Sequence, residues 1–91
     1  LEAIAQVEDL VYTETRLSEL LQRLERRQQL LEEAESQAVS RYEQGFTDFL
    51  PVITARQDLL TIEQRLVRER ANLLLARLNL HRVLGGPMPQ R

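Results

Sequence analysis

The fold is decided by the stretch Arg41-Tyr42-Glu43-Gln44-Gly45-Phe46-Thr47-Asp48-Phe49-Leu50-Pro51, which holds the first interruption in a chain of 91 residues. From Leu1 to Gln44 there is neither glycine nor proline. Gly45 reaches positive φ without steric cost, the conformation that ends many helices. Thr47 and Asp48 each carry a side-chain oxygen that can accept from the free N–H groups of a new helix. Pro51 fits the first turn of that helix, where its missing N–H leaves nothing unpaired. The next breakers form the run Gly85-Gly86-Pro87-Met88-Pro89, a strong stop signal. Working outward, the spacing predicts a helix over 2–43, a tip turn over 44–48, a second helix over 48–84 and a tail over 85–91. So short a connector forces the two helices antiparallel. The expected fold class is all-α, a long antiparallel two-helix coiled-coil hairpin, with 1–91 as one hairpin fragment. At about 1.5 Å per residue each arm is about 55–60 Å long.

Seven-residue columns support the coiled coil. In the first arm Ala3, Leu10, Leu17, Leu24, Leu31 and Ala38 are all apolar, while the companion column Gln6, Thr13, Leu20, Arg27, Ala34 and Arg41 is poorer. In the second arm Val52, Leu59, Leu66, Leu73 and Leu80 are all apolar, and Ala55, Ile62, Glu69, Ala76 and Val83 fail only at Glu69. Such a repeat specifies a left-handed supercoil. A third column, Ile53, Leu60, Val67, Leu74 and His81, lies directly beside the first. The apolar face of the second arm is therefore wider than a two-helix seam requires. The surplus predicts further helices packed against it, in an oligomer or in a larger parent α-barrel.

Charge separates the arms. Residues 1–45 hold ten acids and five bases, and residues 46–91 hold four acids and seven bases. The opposite signs favour side-by-side pairing, at only about 0–1 kcal/mol for each exposed pair. All twelve bases are arginine, and the net charge is −2. A mildly acidic chain is a poor match for nucleic acid, so no nucleic-acid partner is expected. With no cysteine, no lysine and one histidine, His81, thiolate sites, Schiff-base chemistry and histidine metal clusters are excluded. No cofactor, metal or catalytic residue is expected. No apolar run approaches the roughly 18–20 residues of a membrane span. The chain begins with Leu1, lacks a leader pattern, and is expected to be a piece of a longer protein.

Three of the four aromatic residues, Tyr42, Phe46 and Phe49, gather within eight positions at the turn. They can plug the hairpin end as a small local core, or form a docking tip, or both. Other conspicuous residues read plainly. His81, in the third column, is expected to be partly buried and hydrogen-bonded. Arg26-Arg27 reads as a solvated pair. Glu32, Glu33 and Glu35 read as a solvated face, because no Glu-x-x-His motif accompanies them. Arg27 and Arg41 are expected to snorkel out of the seam or to pair with acids across it.

The tip carries a resemblance. Arg41-Tyr42-Glu43-Gln44-Gly45-Phe46, followed by Leu50, Val52 and Ala55, resembles the periplasmic hairpin tip of the outer-membrane efflux channel family, the TolC-like outer membrane factors. Ala71-Asn72, Leu74, Leu78-Asn79-Leu80 and Leu84-Gly85 resemble the close of that family's second repeat. The resemblance implies a periplasmic helical hairpin from the wall of a trimeric tunnel, in an outer-membrane protein of a Gram-negative bacterium. It also implies a docking tip made of Tyr42, Gly45, Phe46, Thr47, Asp48 and Phe49. The implied partners are a periplasmic adaptor (a membrane fusion protein), further copies in the parent trimer and, indirectly, an inner-membrane pump. One departure stands out. The family often carries acids six and nine positions after the tip glycine, where this chain has Pro51 and Thr54. This hairpin therefore lacks the acids of such a gate at those two positions. Two other readings compete with this one. One is a generic antiparallel coiled-coil arm, such as the adaptor's own hairpin. The other is a small all-helical mutase, which the missing lysine and the single internal break disfavour.

Overall fold

The computed structural model describes residues 2–85. It consists of two α-helices, α1 (Glu2–Glu43) and α2 (Leu50–Gly85). They pack along each other as an antiparallel hairpin with principal extents of 65 × 28 × 14 Å. The long dimension follows from α1 alone. Its 42 residues span about 63 Å at 1.5 Å rise per residue.

The first helix runs as expected to Glu43 because nothing in it breaks the hydrogen-bond ladder. The second starts at Leu50, two residues later than the sequence indicated, so the tip turn extends to Phe49. The Phe49 carbonyl accepts from Val52 N–H at 3.1 Å and from Ile53 N–H at 3.2 Å, which makes Phe49 the residue that opens the helix. Asp48 therefore sits just outside it. At the other end Gly85 closes α2 instead of opening the tail, and residues 86–91 lie outside the described residues.

The core is one seam of leucines. Leu21 and Leu24 of α1 meet Ile62, Leu66 and Leu73 of α2, flanked by Leu17, Leu20, Leu31 and Leu59. Val52 and Leu66 are the most deeply buried, with 0% and 1% of their surface exposed. Each fully buried leucine or valine contributes about 1.5–3 kcal/mol of transfer free energy. On α2 the seam uses the two expected columns, and Glu69 lies half-buried within it. Asn72 donates to Glu69 at 3.1 Å, and Arg65 lies 3.9 Å from it, so its charge is compensated within its own helix.

On α1 the seam corrects the expectation. The leucine column is shared, but its partner is the column Val7, Glu14, Leu21, Gln28 and Glu35, not the one containing Arg27 and Arg41. Leu21 is buried and the other four are half-buried, whereas Gln6, Thr13, Arg27, Ala34 and Arg41 are exposed. This choice keeps Arg27 and Arg41 in water and is accompanied by ion pairs across the seam. Glu14 and Glu35 stand twenty-one residues apart, as do Arg56 and Arg77. Running antiparallel, they meet as Arg77–Glu14 at 3.0 Å and Arg56–Glu35 at 2.8 Å. A third bridge, Arg70–Glu25 at 3.3 Å, is more exposed. All three join an acid of α1 to an arginine of α2, as the charge separation implies.

Candidate functional site

Local backbone chemistry builds the tip. Gly45 adopts φ +80°. Its N–H donates to the Tyr42 carbonyl at 3.0 Å, and the Phe46 N–H donates to the Arg41 carbonyl at 2.9 Å. This pair of bonds is the Schellman arrangement, which satisfies two of the free carbonyls at the end of α1. Arg41, in the last turn, places a positive charge beside the negative end of the helix dipole. On the outgoing side the Leu50 N–H donates to Asp48 Oδ1 at 3.1 Å. Asp48 is thus the capping acid, and its charge lies near the positive end of α2.

Four of the six sequence-identified tip residues shape the turn. Gly45 turns the chain and Asp48 caps it. Tyr42 and Phe49 pack edge to face across the turn, with ring centroids 4.9 Å apart and planes at 67°. This pair supplies the local plug. Thr47 is half-buried and makes no hydrogen bond of its own side chain among those described. Phe46 is the residue left over. It is 75% exposed, the most exposed large apolar side chain among the described residues. Leu50, at 65% exposure, stands near it in the chain. The tip is thus a hydrogen-bonded turn with Tyr42 and Phe49 packed together and the Phe46 ring left unpacked.

Comparison of the chain with protein-family models, with curated proteins and with solved structures gives no match.

The geometry beyond the tip is plain. Pro51 and Thr54 line a shallow groove near the tip with Ala34, Ala38, Ala55 and Asp58, and Asp58 is the only carboxylate on it. The described residues contain no group of three or more histidines, cysteines or acids that could hold a metal ion. Glu35 belongs to a cross-helix ion pair and not to an acidic cluster. No helix among the described residues is long and apolar enough to cross a membrane. Arg26, Arg27 and Arg41 are solvated.

His81 is a correction. It is exposed, together with Leu60, Val67 and Leu74 of its column. The seam takes the neighbouring column instead, and none of the described residues covers this face. Sequence reasoning missed the bridging set Glu14, Glu35, Arg56 and Arg77. The signal that finds it is the shared twenty-one-residue spacing.

Proposed function

We propose that the chain is a periplasmic helical hairpin of a TolC-like outer-membrane efflux channel, with its tip contacting a periplasmic adaptor. The reading is carried by the tip. A glycine at positive φ follows an arginine–aromatic pair, and it holds Phe46 out at one end of the 65 Å hairpin. A ring exposed on a turn held by its own backbone hydrogen bonds suits a contact with another protein, because a preorganised turn loses little freedom on binding. The long arms form wall: they confine a conduit and transmit displacement of the tip along the hairpin. In this reading the parent is trimeric, and the adaptor links it to an inner-membrane pump. The residues that act are Phe46 as contact, Gly45 and Asp48 as shape-giving positions, and Tyr42 and Phe49 as the plug beneath.

The test is export in cells carrying Phe46→Asp in the parent channel. Export is expected to fall while the channel still assembles in the outer membrane at its normal level. Unchanged export with Phe46→Asp would make the tip a mere turn, and would favour a generic coiled-coil arm.

A further inference from the structure

α2 carries a second seam. At 100° per residue, the column Ile53, Leu60, Val67 and Leu74 and the column Gln57, Gln64, Ala71 and Leu78 share one face. That face points about 150° away from the seam with α1. Its large apolar members are 41–67% exposed. The two columns alternate at three and four residues, so this face is itself a heptad seam.

The surrounding charges decide what fits on it. Arg56 and Arg70, on one edge, are already paired with Glu35 and Glu25 of α1. Glu63 and Arg68, on opposite edges, have no ion-pair partner among the described residues. They stand five residues apart and flank the seam at the positions that exchange ion pairs between parallel coiled-coil strands. Other arrangements fit worse. The outer face of α1 carries Glu19, Arg23, Arg26 and Glu33, all exposed, and offers no continuous apolar stripe. An antiparallel α2 centred on Val67 would bring Arg68 against its own counterpart.

We propose that this second seam is a self-docking surface, on which α2 of a second copy lies parallel and in register, tip beside tip. Val67 then meets Val67 of the second copy, and Glu63 of each copy reaches Arg68 of the other. Gln57 and Gln64 face their counterparts, where amide-to-amide hydrogen bonds fix the register as polar core residues do in coiled coils. The one like-charged approach is Arg77 to Arg82, and Glu14 already neutralises Arg77 at 3.0 Å. The inference concerns the chain by itself and does not rest on the efflux reading. In a tunnel wall the same seam is available to a neighbouring helix.

Sedimentation equilibrium of the 91-residue chain tests it. A dimer is expected, and a monomer at all accessible concentrations overturns the proposal. Val67→Glu alters a side chain that the hairpin leaves exposed, so helicity by circular dichroism should persist while the dimer is lost. Glu63→Arg alone and Arg68→Glu alone should each weaken the dimer about tenfold, and the double swap should restore it. A dimer indifferent to Val67→Glu, or not rescued by the double swap, refutes this surface. Orientation is read from Ile53→Cys in a chain that has no other cysteine. A disulfide between equivalent positions is expected on oxidation. Its failure to form in a dimeric sample contradicts the parallel arrangement.

Discussion

Replacing Gly45 isolates the conformational requirement of the tip. The backbone at Gly45 has φ +80°, and a Cβ built there meets nothing within 4 Å. A substitution therefore costs through φ and not through collision. An L-residue in the left-handed region loses about 1–2 kcal/mol. Gly→Ala regains about 0.4–1 kcal/mol by narrowing the unfolded ensemble. The net expectation for Gly45→Ala is a loss of about 1 kcal/mol, which lowers Tm by about 4–8 °C for a chain of this size. Gly45→Asn should cost less, because asparagine tolerates the left-handed region better. Gly45→Val should cost more, because its branched side chain tolerates positive φ worst. D-alanine, introduced by chemical ligation, prefers positive φ and should stabilise. The assay is thermal and urea unfolding followed by circular dichroism at fixed chain concentration. If L-alanine and D-alanine prove equally harmful, the loss comes from steric contact, and the assignment of Gly45 as a free left-handed turn is refuted.

The remaining predictions concern packing and capping. Leu66→Ala empties one of the two best-buried positions of the seam and should cost about 2–5 kcal/mol; a loss below that, measured by urea unfolding, would mean the seam is placed wrongly. Tyr42→Ala and Phe49→Ala, combined in a double-mutant cycle, should show a coupling of about 0.5–1.5 kcal/mol from their edge-to-face contact, and additive losses would mean that the rings do not touch in solution. Asp48→Ala removes the acceptor of the Leu50 N–H and should cost about 0.5–2 kcal/mol, with Asp48→Asn retaining most of the stability; Thr47→Ala, by contrast, should be near neutral in the same unfolding assay.

Much of this fold is legible from the residues, for identifiable reasons. The absence of glycine and proline before Gly45 fixes the first arm to its last residue, because nothing competes with the helical ladder. Gly45 is readable because only a residue without a Cβ takes φ +80° freely. The start of the second arm was less legible. Thr47 and Asp48 are both competent caps; Phe49 accepts the first helical bonds, so both lie outside the helix, and only Asp48 reaches a free N–H, that of Leu50. The α1 seam shows a different limit. The leucine column has a neighbour on each side, and apolarity alone barely separates Leu20 and Ala34 from Val7 and Leu21. The charged members separate the two columns: one would bury Arg27 and Arg41, whereas the other lets Arg56 and Arg77 reach Glu35 and Glu14. His81 is exposed, against expectation, for a related reason. A residue beside a seam is buried only if a second partner arrives, and the hairpin supplies none. At the tip, the aromatic cluster was visible, but its division into the Tyr42–Phe49 plug and the protruding Phe46 depends on which ring the turn points outward.

The proposal that the tip docks a periplasmic adaptor is tested most directly by a photo-reactive amino acid at Phe46 in the full-length protein, activated in living cells. Phe46 is preferred to the half-buried Thr47 because its side chain is free to reach a partner. The account predicts capture of a periplasmic adaptor from Phe46 and none from the same probe at Arg26, on the outer face of α1. If the probe at Phe46 captures nothing while one at Val67 captures a neighbouring helix, the hairpin is a scaffold without a docking tip, and the account is contradicted.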